Sequence, residues 1–463
     1  MRQLSARQAA CLDADTNHSN ANVSLLHIFD QATAPGGVVR FKAILAQIER
    51  RLHGLPLFRQ RLQPVPLGLD RPYWVDDAHF DVEYHVRHIA LPKPGDWRQF
   101  CIQASRLHAR PLDLGRPLWE AYVIEGLDSF RDLPAGSFAL LVKTHLAALG
   151  LGQIAELSEG LLEASATPEA APPREPWMAR PVPGQLALAS RGVWQSAHSP
   201  LRLARPLVKL ARQAAPAALA LAGEILRHPP DLPVTRFTSV VSPHRVFETR
   251  RFAEADFQRI ARLVRGATVD DVVLAVCGDA LRRYLLLQHE LPAEHELVAH
   301  LPDPGDASGA SWRQVALGTT LAEPVQRLRA IRAQRLPGSP SAALSSDRPP
   351  QATCSISLLP APAQALFLCG AQLSYFSAIL PIEDGMGLSF AVTRHDGKLV
   401  ISPTSCRELL PDPEVLAGCL RQAFEALLAA ARTPRAGNRR GSVKPAASRA
   451  SASGKTPRKR RPA

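Results

Sequence analysis

The sequence predicts an α/β protein built as two mixed units, each a sheet flanked by helices. Three observations carry this. Apolar runs of strand length and helical stripes recur on both sides of residue 200. A Pro-rich stretch opening near Ala166 separates the two sets. A length of 463 residues also exceeds what one ordinary domain holds. The expected boundaries are 1–165 for the first unit, 166–234 for a Pro-rich linker with a basic amphipathic segment, 235–434 for the second unit, and 435–463 for a structureless basic tail.

Residues 1–36 lack strong periodicity and predict no element. Between Val39 and Leu55, the stripe of Phe41, Ile44, Leu45, Ile48 and Leu52 predicts a helix closed by Gly54 and Pro56. From Phe80 to Leu91 the alternation of Phe80, Val82, Tyr84 and Val86 with polar residues predicts a strand, broken by Pro92 to Gly95. Trp97 to His108 reads as a helix and Ala121 to Ile124 as a strand. Ser137 to Val142 is an apolar run of strand length, ending at the polar step Lys143-Thr144-His145. A turn carrying Gly150 and Gly152 follows, then a helical segment with Ile154, Leu157, Leu161 and Leu162 on one side. One imidazole therefore stands at a strand–turn–helix junction, where rigid scaffolds hold reactive groups.

Pro168, Pro172, Pro173, Pro176, Pro181 and Pro183 argue against a helix or strand after residue 166. From Leu201 to Arg227, Leu203, Leu207 and Leu210 oppose Arg202, Arg205, Lys209 and Arg212. Such a helix either lies on an anionic membrane surface or docks on the protein with its basic face solvated. In the second unit Val246 to Phe252 reads as a strand, and Phe257 to Gly266 as a helix with a glycine stop. Thr268 is the expected N-cap of a long helix through Leu287, with Asp270 and Asp271 in its first turn, where the helix dipole favours them. Residues 302–350 are rich in Gly, Pro and Ser and predict nothing. Strands are expected at Ala352–Leu359, Ser389–Thr393 and Leu399–Ser402, and a helix at Glu414–Ala431.

The formal net charge is +13, but residues 435–463 hold ten Lys/Arg and no acid, which leaves +3 for the rest. That tail has no interleaved aromatics, so no specific nucleic-acid partner is expected. The seven cysteines are scattered, odd in number and without C-x-x-C spacing, which argues for cytosolic thiols against a disulfide framework or a zinc site. The start lacks an apolar signal core. The run Ala214–Gly223 contains Pro216 and falls short of the ~20 residues that span a bilayer. The expected location is cytoplasmic, with peripheral contact at a membrane or lipid-droplet surface left open.

There is no G-x-S-x-G elbow, P-loop or Rossmann glycine pattern. His85 and His88, three apart on an expected strand, point to opposite faces and read as structural, so no metal site is expected. His145 remains. Taken alone, it reads as a strand-end histidine bonded to its neighbours.

Its surroundings resemble the wax ester synthase/diacylglycerol acyltransferase family. Lys143 to Gly150 falls where that family carries H-H-x-x-x-D-G. The stretch Trp74-Val75-Asp76-Asp77, with Phe80 to His88 and Leu91-Pro92-Lys93-Pro94-Gly95, is similar to the family's N-terminal signature, and Arg116-Pro117-Leu118-Trp119-Glu120 to another. Thr268 to Ala275 with Ala280 to Leu285 resembles its T-V-N-D-V-V-L-A helix, and Asp384 to Leu388 its D-G-Q-G-L turn. The resemblance implies two chloramphenicol-acetyltransferase-like domains with a tunnel between them. It implies transfer of a fatty acyl group from acyl-CoA to diacylglycerol or a long-chain alcohol. The motif's second histidine, the general base, maps onto His145, a role suited to an imidazole near neutral pH. No cofactor is implied, because acyl-CoA arrives as an activated substrate.

The departures are as specific. Thr144 stands for the first motif histidine and Leu149 for the aspartate, and Gly150 alone completes the second half. Asp270 replaces the helix asparagine beside Asp271, and a carboxylate facing a developing oxyanion would oppose catalysis. Ser355 to Pro360 replaces an Asn-Val-Pro-Gly-Pro stretch. Two readings follow: an active acyltransferase, or a catalytically impaired relative that binds lipid or a partner.

Overall fold

Long apolar strands decide the architecture. The computed structural model describes residues 1–130, 133, 134, 136–167, 177–197, 233–302, 311–335, 343–345 and 352–432. The first half supplies β1 (Arg2–Gln3), α1 (Ala6–Asp13), β2 (Asn22–Asp30), α2 (Phe41–Arg51), β3 (Gln60–Gln63), β4 (Tyr73–Asp76), α3 (Val82–His85), β5 (Val86–Ala90), α4 (Trp97–Ala109), β6 (Trp119–Leu127), β7 (Ser137–His145), α5 (Ile154–Leu161) and α6 (Gln185–Ala197). The second supplies β8 (Arg245–Phe247), β9 (Arg250–Ala253), α7 (Glu254–Ala261), α8 (Val269–Leu287), β10 (Val298–Pro302), β11 (Ser311–Ala316), α9 (Pro324–Gln334), β12 (Ala343–Ser345), β13 (Cys354–Leu358), β14 (Phe367–Leu368), β15 (Ala371–Ile379), β16 (Leu388–His395), β17 (Lys398–Cys406) and α10 (Pro413–Arg432).

One sheet runs β14-β15-β2-β7-β6-β5 and is antiparallel except for β5 beside β6. Both faces are covered. Phe138, Leu140 and Val142 of β7 pack with Ile44 and Ile48 of α2 and Ile154 and Leu157 of α5. Ala139 and Leu141 face Phe100, Ala104 and Leu107 of α4. Each fully buried leucine there contributes roughly 1.5–3 kcal/mol of transfer free energy. The same alternation carries Lys143 and His145 onto the α4 side and Thr144 onto the other. A second sheet runs β12-β11-β10-β13-β16-β17-β8, with β9 also on β17. Its helix-side core draws on α7, α8, α9 and α10. The other face meets the first sheet: Thr393 Oγ1 donates to the Phe376 carbonyl at 2.7 Å, and the Ser377 and Ser402 hydroxyls lie 2.7 Å apart. A small sheet β1-β4-β3 completes the fold.

Several expectations change. The strand expected from Phe80 to Leu91 begins only at Val86, because Asp81 caps a short helix by accepting from Glu83 N. His85 and His88 are both satisfied, as expected: His85 Nδ1 donates to the Trp119 carbonyl at 2.7 Å, and His88 pairs with Glu125 at 3.1 Å. Residues 1–36, read as patternless, hold α1 behind a Ser5–Gln8 capping box, then β2. Just past the Pro168–Pro183 stretch, where no element was expected, the chain forms α6, whose Leu188 is buried against Tyr73 and Val75. The amphipathic segment 201–227 and the tail lie outside the described residues. Val246–Phe252 is two strands, both paired with β17. Residues 302–350 contain β11, β12 and α9.

The chain over 235–434 does not keep to one sheet. It sends β14 and β15 into the first sheet, where Phe376 pairs with His27 of β2, and takes the chain back at β16. The two sheets are therefore stitched by a crossing segment.

Candidate active site

The junction expected after β7 forms, with the strand running through Lys143 and Thr144 to His145. Its end is fastened by a buried ion pair. Lys143 is fully buried; its ammonium lies 2.8 Å from Glu120 Oε2 of β6 and donates to the Leu107 and Arg110 carbonyls, both at 3.1 Å. All three ammonium hydrogens thus have acceptors. Burial pushes the Lys143 amine down from its usual range, against the pull of Glu120. Burial alone would raise Glu120, but Lys143, the Tyr122 hydroxyl at 2.7 Å and Arg87 outweigh it and hold the carboxyl low. His108, bonded to Ser24 at 2.9 Å, is held well below its usual value by burial, with Arg245 and Lys143 adding to the effect.

His145 itself is 1% exposed. Its backbone N–H donates to the Leu118 carbonyl, which also accepts from the Thr144 hydroxyl at 3.2 Å. Its carbonyl accepts from Ala148 N and Leu149 N, closing the turn. Nδ1 accepts the Ala147 N–H at 3.0 Å, so the neutral ring carries its proton on Nε2. Nε2 donates to Asp15 Oδ2 at 3.0 Å. The sequence reading missed Asp15, which is 130 residues away from His145. The Ser5-x-x-Gln8 box was the available signal for the helix that delivers it.

Asp15 belongs to a segment spanning both halves. Its Oδ1 accepts from Ala21 N at 2.9 Å, and the Ala21 carbonyl accepts from Leu146 N. Three residues on, His18 Nε2 meets both oxygens of Asp384, at 3.1 and 3.2 Å. Ser19 Oγ donates to the Ile382 carbonyl at 2.7 Å, and Arg245 donates to the His18 carbonyl at 2.8 Å. The expected D-G-x-G-L turn thus touches the segment between α1 and β2 that holds Asp15 against His145.

The other expected residues do not converge here. Gly150 has φ −73°, a conformation open to any residue, and only starts a short helical turn. Asp270 pairs with Arg394, which also lies 3.8 Å from Glu254. Arg394 stands six residues along β16 from Leu388, about 20 Å from the end beside Asp384. The feared charge is therefore neutralised at the far end of the strand. Asp271 is fully buried in a capping box with Thr268 and pairs with Arg335 at 3.1 Å, which is a structural task.

The chain matches the family model described as wax ester synthase/diacylglycerol acyltransferase catalytic domain over residues 4–273, and the WS/DGAT C-terminal domain over 322–428. A Mycobacterium tuberculosis protein whose name assigns it as a diacylglycerol O-acyltransferase is 29% identical over 471 residues, covering 92% of this chain and 90% of the relative. Among solved structures, the wax ester synthase/diacylglycerol acyltransferase of Marinobacter aquaeolei aligns with TM-score 0.66 and 24% identity, over 93% of this chain and 99% of its own. The first condensation domain of the calcium-dependent antibiotic synthetase aligns with TM-score 0.53 and 14% identity, over 94% and 96% of the two chains.

Proposed function

Because the chain belongs to the wax ester synthase/diacylglycerol acyltransferase family of acyl-CoA-dependent acyltransferases, we propose that it moves a fatty acyl group from acyl-CoA to diacylglycerol or a long-chain alcohol at the His145–Asp15 pair. The observation that carries this reading is the direct contact of a buried imidazole with a partly open carboxylate, on a segment touching both halves. The alcohol oxygen attacks the thioester carbonyl carbon, the C–S bond breaks, and the alcohol proton passes through the pair to the departing thiolate. Since the ring proton on Nε2 already points at Asp15, the carboxylate receives the alcohol proton and His145 holds it in place. A carboxylate is the weaker base at neutral pH, so slow turnover is expected.

A second reading rests on that same hydrogen-bonding pattern. If the motif is laid one residue later, His145 is its first histidine, and Leu146, Gly150 and Leu151 occupy the second histidine, aspartate and glycine. A histidine with both nitrogens engaged and 1% exposed suits a structural place, and the protein then binds lipid without turning it over.

Palmitoyl-CoA with dioleoylglycerol or hexadecanol separates the two. Ester formation lost in both His145→Ala and Asp15→Asn supports transfer at the pair. Ester formation unchanged in both variants removes the pair from the mechanism. No ester from the parent protein, with saturable fatty-acyl binding, favours the second reading. Among the described residues no helix is long and apolar enough to cross a membrane; lipid-surface contact would be read separately, by vesicle co-sedimentation.

A further inference from the structure

The turn Thr16–Ser19, just past α1, bonds both to itself and to the opposite half of the molecule. Thr16 N–H donates to the Ser19 carbonyl at 2.7 Å, and Thr16 Oγ1 accepts from Ser19 N at 3.0 Å and from His18 N at 3.3 Å. A turn closed in this way transmits a shift at its tip to Asp15, the residue before it. On one side Asp15 meets His145 at 3.0 Å. On the other, His18 Nε2–H donates to both Asp384 oxygens, Ser19 Oγ donates to the Ile382 carbonyl, and Arg245 donates to the His18 carbonyl. Asp384 is itself fixed within the second half. Its Oδ1 accepts from Val241 N at 3.0 Å, and the N–H groups of Gly385 and Gly387 donate to the Ser239 and Phe237 carbonyls, at 3.1 and 2.7 Å.

Within its own half this loop is anchored at its two ends, by Asp15 N–H on the Leu12 carbonyl at 3.3 Å and by Leu146 N–H on the Ala21 carbonyl at 2.9 Å. Between them, Asn20 Nδ2 reaches the Ala109 carbonyl only at 3.4 Å. The Asp15 carboxylate therefore stands between an anchor in α1 and a turn whose tip is fixed by the half that does not carry His145. We propose that His18 is a positioning residue for the His145–Asp15 pair, an inference that rests on the acyl-transfer reading above. Asp384, acting through His18 and the turn, sets where the Asp15 carboxylate stands. The pair is then complete only while the two halves are closed on this turn. The side chains of His18 and Asp384 are 34% and 23% exposed, and a pair so open to water adds little to global stability. A proton carrier misplaced by about 1 Å, by contrast, can lose about a hundredfold in rate. Loss of the imidazole should therefore register at the site and not in the melting temperature.

The test uses the full chain with nitrogen-15-labelled histidine in two-dimensional NMR. The parent should show a downfield Nε2 proton, slow to exchange because His145 is 1% exposed, and assigned by its absence from His145→Gln. His18→Ala should abolish this proton or move it to where Asp15→Ala moves it. His18→Gln, whose side-chain amide can still donate to Asp384, should restore it. In turnover with palmitoyl-CoA and dioleoylglycerol, His18→Ala should lower kcat about tenfold while both KM values stay within about twofold of the parent, and His18→Gln should recover most of the loss. An unmoved proton in His18→Ala of parental Tm overturns the proposal, as does absence of the proton from the parent, since no pair then exists to be positioned. Ester formation that falls in Asp15→Asn but not in His18→Ala overturns the positioning and leaves the transfer reading standing. A proton that responds to His18→Ala, in a chain that makes no ester, upholds the positioning while the transfer reading fails. If His18→Ala does not fold, His18→Phe, which keeps a ring and drops the donor, decides.

Discussion

Lys143→Met tests whether the end of β7 is held by charge. Methionine keeps the length and apolar volume of the lysine stem but removes an ammonium with three partners. Glu120, only 11% exposed, is left with the Tyr122 hydroxyl and with Arg87 at 3.9 Å. Breaking one side of a buried pair generally costs about 3–5 kcal/mol, because the remaining charge is stranded. With Tyr122 and the partly exposed Arg87 still beside Glu120, about 3 kcal/mol is expected. The assay is urea unfolding at pH 7.5, followed by tryptophan fluorescence and far-ultraviolet circular dichroism, accepted only where the two transitions coincide. Lys143→Met/Glu120→Leu should recover at least half of the loss, since no buried charge then remains. A loss under about 1 kcal/mol for the single variant would refute the reasoning, and so would a double variant less stable than the single.

Two further outcomes are expected. Gly150→Ala should change stability by no more than about 0.5 kcal/mol and leave any ester formation within about twofold of the parent, a change worth only about 0.4 kcal/mol. Its backbone is extended, and an added Cβ would meet only Gln153 Oε1 at 3.9 Å. A large loss would restore the glycine to a functional role. His27, bonded to Ser158 and stacked on Phe376, is held neutral by burial, its pKa lowered from 6.5 to about 4. The unfolded chain takes up this proton first, so the stability is full above about pH 6.5 and is lost as pH falls toward 4, by roughly 3 kcal/mol in all. His27→Leu should flatten that acid limb in a Tm titration, and an unchanged limb would assign it to other groups.

Much of the fold was legible because local chemistry wrote it. The Thr268 cap with Asp271 set the start of α8, and the stripe from Phe41 to Leu52 set α2. The failures have local causes too. Asp81 turned an alternating run into a helical turn before β5, and the short stripe of α9, with Leu328 and Ile331, was lost among glycines and prolines. At the site, the position of His145 was readable and its chemistry was not. Tautomer and partner depend on Ala147 N–H and Asp15, and no periodicity reports either.

By itself the sequence determined the family, the strand–turn–helix junction and the caps, all of which depend on residues within a few positions of one another. The tertiary structure alone decided that β15 crosses into the first sheet, that Asp15 reaches His145, and that Asp270 is neutralised about 20 Å along β16 from the Asp384 end. The β15–β2 register and the Asp15–His145 and Asp270–Arg394 pairs join residues more than a hundred positions apart. Their free energy exists only once the intervening chain has folded, so no local pattern can record it.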